Sequence, residues 1–281
     1  MAKLECVACD LDGSLLNADK RIHPADKETI KKLKALGIPF FTCTGRPADF
    51  ARQIMAEVGH EYPVCACNGA YALDMDTHEL VYMVEPISTE LVLEMQAYLE
   101  ESKLSYFIYT TEGPLFDRPD SKRTLHWKDQ WEKNFEPQNR FEFHYIDDPG
   151  VDLTKMNVIK FLVPYVEDEV KDRLNERFNK DGTLEIMWSE QSVLDINTAG
   201  TNKGYGLQRL SEIYNFSLEN TLVLGDNFND LPMLEICGLP VVPENGEEDL
   251  KAMAKFVTTH HNDAPLTHAI QHFFPELLEQ A

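Results

Sequence analysis

The chain has 281 residues, with 26 Lys and Arg against 48 Asp and Glu, so its formal net charge is -22 and its pI lies near 4.7. A hydrophobic fraction of 43% supplies a packed core, which excludes general disorder and allows one large or two ordinary domains. So acidic a chain disfavours nucleic acid and anionic membrane surfaces as partners, because Lys and Arg hold both, and an anionic ligand must meet a positive field built locally into its site.

The opening Met1-Ala2-Lys3-Leu4-Glu5-Cys6 turns acidic too early for a signal peptide, and no run of about eighteen apolar residues occurs. A cytoplasmic location is expected, with the six cysteines as reduced thiols. Leu4 to Cys9 is apolar without alternation, as in a strand buried on both faces of a parallel sheet. Cys6-x-x-Cys9 and Cys65-x-Cys67 resemble zinc ligand pairs, but both lie in short apolar runs that read as strands. Cys6 and Cys9, three apart on a strand, face opposite ways, so buried thiols are the reading adopted. A helix is expected from Pro24 to Leu36, with Pro24 in its first turn and Gly37 as its stop. Ile38 to Cys43 reads as a strand, Pro47 to Val58 as a helix and Val64 to Cys67 as a third strand. This alternation implies right-handed crossovers and a doubly wound, mostly parallel α/β sheet.

The pattern then changes. A helix (Thr89 to Ser102) leads to strands at Leu104 to Tyr109 and around Leu115, then to a polar-aromatic helix, Leu125 to Lys133. A strand (Met156 to Val163), a helix (Tyr165 to Asn179) and two strands (Leu184 to Trp188 and Ser192 to Ile196) follow, the last two separated by a hairpin-like gap. Trp127 and Trp131 stand at helical i, i+4 spacing beside His126 and read as core of this module, with a sugar-stacking platform as the alternative. Lys122 and Arg123 read as a solvated turn, or as a contact for a second anionic group. After Asn202 the first pattern resumes, with a helix Lys203 to Tyr214 and a strand Thr221 to Leu224. A helix after Asn229, a strand Leu239 to Val242, a helix Glu247 to Ala254 and a strand Phe256 to Thr258 complete the reading. The expectation is one α/β core, residues 1–85 and 196–281, split by an inserted α+β domain at 86–195.

In open α/β sheets, ligands bind beyond the carboxyl ends of the strands. Those ends read Asp10-Leu11-Asp12-Gly13-Ser14, Thr44-Gly45-Arg46, Asn68-Gly69 and Gly225-Asp226-Asn227-Phe228-Asn229-Asp230. A lone Asp after a strand is ordinarily a cap or a turn former. Four carboxylates (Asp10, Asp12, Asp226 and Asp230) at two strand ends, with no Cys or His among them, suit a hard, oxygen-loving cation, most naturally Mg²⁺. Thr44, Gly45 and the helix start behind them offer a hydroxyl, close backbone and unpaired N–H groups for an anion. Lys203 and Arg46 sit at helix starts, where the dipole disfavours a cation, which points to a role beyond stability. For Arg46 a salt bridge is the competing reading.

The ordered series Asp10-x-Asp12-Gly13-Ser14-Leu15-Leu16, Thr44-Gly45-Arg46, Asn68-Gly69, Lys203-Gly204 and Gly225-Asp226-x-x-Asn229-Asp230 resembles the haloacid dehalogenase superfamily. More narrowly it resembles the Cof-type sugar-phosphate phosphatases, over nearly the whole chain and including the place of the insert. The resemblance implies a flavodoxin-like core with an α/β cap. It makes Asp10 the nucleophile that forms an aspartyl-phosphate, and Asp12 the acid for the leaving alcohol and then the base for water. Thr44 and Lys203 would hold the phosphoryl oxygens, and Mg²⁺ would bind Asp10, the Asp12 carbonyl and Asp226. Asn229 and Asp230 would orient Lys203 and the waters of the metal, while Asn68, with Gly13, Gly45, Arg46 and Gly69, would line the phosphate site. Ser14 replaces the common Thr but keeps the hydroxyl. The Gly-Asn-Ala often found near the fourth motif is here Val242-Pro243-Glu244-Asn245-Gly246, with Asn245 as the matching position.

Hydrolysis of a small phosphorylated metabolite is therefore the expected function. A phosphomutase, or a non-catalytic sugar-phosphate-binding regulator on the same scaffold, is the alternative. The insert is expected to sit over the crevice and set which ester is preferred.

Overall fold

The computed structural model describes residues 3–59, 62–118, 120–122, 124–126, 128–129, 143–190 and 192–279. The chain divides into two compact units, Met1–Tyr82 with Asn202–Ala281, and Met83–Thr201.

In the first unit, β1 (Cys6–Cys9) is buried along its whole length and leads through the Asp10–Ser14 loop to α1 (Pro24–Ala35). His23 caps α1, and Ile30 and Leu33 are buried on its inner face. β2 (Phe40–Cys43) begins two residues later than the apolar run suggested, because Pro39 has no N–H to donate to a ladder. α2 (Ala48–Met55) tightens into a 3₁₀ turn, Ala56–Val58, before Gly59 in the left-handed region. β3 (Val64–Ala66) stops one residue short of Cys67, where the chain turns. Two strands that the sequence pattern did not reveal follow, β4 (Tyr71–Leu73) and β5 (Leu80–Met83).

After the insert come α5 (Lys203–Tyr214) and β12 (Thr221–Leu224), both with the expected bounds. A 3₁₀ turn (Phe228–Asp230), α6 (Leu231–Ile236), β13 (Leu239–Pro243), α7 (Glu248–Met253) and β14 (Phe256–Thr258) continue the winding. α8 (Pro265–Phe273) and α9 (Glu276–Glu279) close the chain and are additions to the sequence reading. The sheet order is β14-β13-β12-β1-β2-β3-β4-β5. Every pair from β14 to β3 is parallel, and β4 reverses against β3. This is the doubly wound arrangement, with β1 in the middle. Six free cysteines are present, five of them buried, and among the described residues the only metal-competent cluster is carboxylate.

The second unit runs α3 (Thr89–Glu101), β6 (Phe107–Thr110), β7 (Gly113–Phe116), β8 (His144–Tyr145), β9 (Val158–Pro164), α4 (Asp168–Phe178), β10 (Leu184–Glu190) and β11 (Val193–Thr198). Its sheet, β10-β11-β9-β6-β7-β8, is antiparallel except for the β7–β8 pair. Val92, Met95 and Leu99 of α3 and Val170, Leu174 and Phe178 of α4 form a core with Ile108, Phe161, Val163, Leu194 and Ile196. Arg123, Trp127 and Trp131 lie outside the described residues, so the choice between tryptophan core and platform rests there. Lys122 is exposed, with its ammonium 4.8 Å from the Tyr165 ring centroid, and His126 is exposed as well.

Candidate active site

The chain leaves β1 toward β2 on one side and returns to β12 on the other, so the strand order switches beside β1. Cys9 and Leu224 are register partners, and the Asp10 amide donates to the Leu224 carbonyl at 2.9 Å. Asp10 and Asp226 therefore emerge side by side at the switch point, where the two crossovers diverge and leave a crevice.

Lys203 organises this crevice. It is the first residue of α5, 1% exposed, and its Nζ donates to Asp10 Oδ1 at 2.7 Å and to Asp230 Oδ1 at 2.5 Å. The other oxygen of Asp230 accepts the backbone N–H groups of Asp226 (2.9 Å) and Asn227 (3.1 Å). Asp230 thus fixes both the lysine and the loop carrying Asp226. Carboxylate oxygens of Asp10, Asp226 and Asp230 lie within 4.8 Å of one another. Three anionic carboxylates around one ammonium leave an excess of buried negative charge.

That excess shows in the titration of the groups. Burial pushes the Asp10 carboxyl well above the usual carboxylate range, with Lys203 opposing and Asp230, Asp226 and Asp12 adding to the rise. Burial also raises Asp226 to about 7, helped by Asp230 and opposed by the Ser14 hydroxyl and Lys203. For Lys203, burial favours the neutral amine, but Asp10 and Asp230 overcome it and hold the ammonium charged.

Asp12 is arranged differently. Its carboxylate is gripped by Arg46, with Nε to Oδ2 at 2.5 Å and Nη2 to Oδ1 at 2.7 Å, and by Lys20 Nζ to Oδ1 at 2.6 Å. Burial works against ionisation, yet the two cations hold Asp12 far below the usual carboxylate range. Its side chain remains 36% exposed, facing the open part of the site. For Arg46 the salt-bridge alternative is therefore the arrangement present. Gly13 follows at φ +79°, and a Cβ there would stand 2.3 Å from Asp226 Oδ2, so only glycine lets this loop pass the carboxylate. Ser14 Oγ donates to Asp226 Oδ1 at 2.8 Å. Asn245 Nδ2 holds the Gly13 carbonyl at 2.7 Å, while its Oδ1 accepts the His261 amide. The His261 ring reaches the Leu16 carbonyl at 2.7 Å.

The third wall comes from the ends of β2 and β3. Thr44 is buried; its Oγ1 accepts the Arg46 amide at 3.2 Å, which leaves the hydroxyl hydrogen available to donate. Asn68 sits in the left-handed region (φ 59°), its amide bound to the Thr44 carbonyl at 2.9 Å and its Oδ1 accepting Asn229 Nδ2 at 3.3 Å. Gly45 packs against the Asn68 side chain. Gly69 has φ +91° and passes so close to the Asn202 carbonyl that a Cβ would stand 2.2 Å away, which joins this turn to the start of α5. The core residues singled out from the sequence thus lie together at these strand ends. Lys20 and His261 were missed. Lys20 stands in a charged loop with no periodic context, and His261 contacts Leu16 from 245 residues away.

A family model for haloacid dehalogenase-like hydrolases matches residues 7–270. The chain belongs to that family. Its similarity to the pyridoxal phosphate phosphatase YbhA of Escherichia coli is 26% identity over 89% of this chain and 92% of that protein. The 5-amino-6-(5-phospho-D-ribitylamino)uracil phosphatase YwtE of Bacillus subtilis is 25% identical, over 98% of each chain. In fold, a haloacid dehalogenase-like hydrolase from Bacteroides thetaiotaomicron superposes with a TM-score of 0.83 at 22% identity, over 97% of this chain and 100% of that one. The chain is a Cof-type phosphatase of this family.

Proposed function

We propose that the protein hydrolyses small phosphomonoesters, sugar phosphates foremost, with Mg²⁺ and through an aspartyl-phosphate on Asp10. The observation that carries this reading is the placement of Lys203 between Asp10 and Asp230, with Asp226 alongside. Three carboxylates with oxygens within 4.8 Å of one another and no nitrogen or sulfur donor are the donor set of a hard divalent ion. Asp230 has both oxygens engaged, so Asp10, Asp226 and the Asp12 carbonyl would hold the ion, and Asp230 would position them. Bound there, Mg²⁺ would neutralise charge between a carboxylate nucleophile and a phosphate dianion.

The protein's own groups divide the remaining work. Lys203 has three N–H donors and spends two on carboxylates, so the third is available to a phosphoryl oxygen, and the Thr44 hydroxyl supplies another donor. Asp10 Oδ1 is fixed by Lys203, which leaves Oδ2 to attack phosphorus as the P–O bond to the alcohol breaks. Asp12 would give the alcohol its proton and later take one from the water that cleaves the acyl phosphate. Clamped by Arg46 and Lys20, it is held as a carboxylate; to act as the acid it must first leave those cations and take up a proton from water. We place the protein in the cytosol, on the strength of its free and mostly buried thiols, and assign ester selectivity to the insert.

The test is phosphate release from a panel of sugar phosphates, pyridoxal phosphate and nucleotides, with and without Mg²⁺. Release that requires Mg²⁺, needs no bisphosphate activator and disappears in Asp10→Asn supports the reading. Unchanged release in EDTA overturns it.

A further inference from the structure

A further buried polar cluster lies within the insert, in a part of the sequence that carries none of the motifs of the phosphatase core. Ile108, Phe161, Val163, Leu184, Ile186, Leu194 and Ile196 turn to the helices α3 and α4. Side chains alternate along a strand, so the residues between them occupy the opposite face. There the ladders set Glu185 of β10 opposite Asn197 of β11, Asn197 opposite Lys160 of β9, and Lys160 opposite Tyr109 of β6. Directly opposed residues share a face, so these four form one polar row across four strands, and Asp195 joins it from two residues before Asn197.

Most of the row has partners within it. Lys160 Nζ bonds Asp195 Oδ2 at 2.5 Å and stands 5.2 Å from the Tyr109 ring centroid. Asn197 differs: it is 0% exposed, and neither its Nδ2 nor its Oδ1 has a hydrogen-bond partner. Buried polar groups are ordinarily hydrogen-bonded, and here a whole amide is left open among charged and aromatic neighbours. An amide in that position offers one donor direction and one acceptor direction side by side. Among the described residues of the row, the charges beside it are two carboxylates, Glu185 and Asp195, against one ammonium, Lys160, which is unsuited to a second phosphate or a carboxylate.

We propose that this row is a ligand site of the insert, taking an uncharged group that presents a hydrogen-bond acceptor and donor together, as a vicinal diol or a lactam edge does. The binding claim stands without the phosphatase reading; only its consequence for ester preference rests on that reading.

The test uses the full-length protein and isothermal titration with D-ribitol, which carries vicinal diols, with uracil, which carries lactam edges, and with D-ribonate, the anionic counterpart of the polyol. At least one neutral probe should bind, D-ribonate more weakly than D-ribitol, and Asn197→Leu should weaken binding of the neutral probe at least tenfold. Should Asn197→Leu fail to fold, as read by its melting transition, Asn197→Ser takes its place. Absence of binding by both neutral probes, or equal binding by the parent and the variant, overturns the proposal and leaves the amide as the seat of a buried water. The second arm measures the ratio of kcat/KM for ribitol 5-phosphate to that for p-nitrophenyl phosphate, whose leaving group has no hydroxyl donor in the ester. A ratio at least tenfold lower in the variant supports the proposal; an unchanged ratio confines the site to free ligands and removes its role in ester preference. If the parent hydrolyses neither ester, the phosphatase reading fails while the titration still decides the site.

Discussion

Each unit of the molecule buries a lysine against aspartate, and the two arrangements differ in balance. In the insert, Lys160 (2% exposed) bonds Asp195 in the middle of an antiparallel sheet. In the core, Lys203 meets both Asp10 and Asp230, and Asp226 adds a third carboxylate where parallel strands end. A buried pair of opposite charges can often be replaced by apolar side chains of similar volume without loss of stability. An unbalanced cluster persists only if something else supplies the missing charge. Burial alone therefore does not single out Lys203; the group of carboxylates beside it does.

The largest test of that contrast is the surplus itself. Asp10→Asn should lower turnover by roughly 10⁴–10⁶-fold, the range seen when a single member of a nucleophilic unit is removed; a variant retaining a tenth of parental phosphate release would break the assignment. Removing the divalent ion should act on the core alone. EDTA is expected to abolish turnover, Mg²⁺ to restore it and Ca²⁺ not to, because Ca²⁺ asks for more ligands at longer distances than this small carboxylate set offers. Asp12→Ala should slow catalysis less, by roughly 10²–10⁴-fold, as expected of acid–base help. Rapid-quench measurement of phosphoenzyme should show both its formation and its decay retarded.

The insert sharpens the comparison through stability. Lys160→Met removes the ammonium bonded to Asp195 and should cost roughly 3–5 kcal/mol in urea unfolding, whereas Lys160→Met combined with Asp195→Leu should return close to the parental value. A double variant as unstable as the single one would show that the pair is more than architecture. The smallest effect belongs to Asp26, a buried carboxylate with no lysine at all. Its Oδ1 accepts the amide and hydroxyl of Thr267, joining α1 to α8, and burial raises its carboxyl above the ordinary 3.8. The sign follows from linkage: a folded value above the unfolded one means that the folded state holds the proton more tightly, so stability falls as pH rises from about 4 through the raised value. Asp26→Asn keeps an acceptor for Thr267 and should flatten that fall, so its advantage over the parent in urea midpoint should grow from pH 4 to pH 7.

Much of the fold is legible because β1, β12 and their neighbours are short and wholly apolar, the mark of strands covered on both faces. α5 and β12 are bounded in the sequence by Asn202 as cap, Asn215 as stop and the turn before Thr221. β4 and β5 are not legible. Three or four residues are too few for a period to be counted, and their place in the sheet comes from pairing with β3 and with each other rather than from local preference.

The same division runs through the site. The sequence by itself determined that Asp10, Asp12, Thr44, Asn68, Lys203, Asp226 and Asp230 would converge, because strand ends of a parallel sheet share one edge and motifs placed after them must meet there. Only the tertiary structure decided how those groups share protons and charge. Asp230 gives both oxygens to positioning, Arg46 and Lys20 close on Asp12, and His261 and Asn245 brace the loop behind it. The physical reason is one of scale. Periodicity places a residue on an element to within a few ångström, but a hydrogen bond or an ion pair is made or lost over less than one, and the partner that makes it is chosen by packing between segments far apart in the chain.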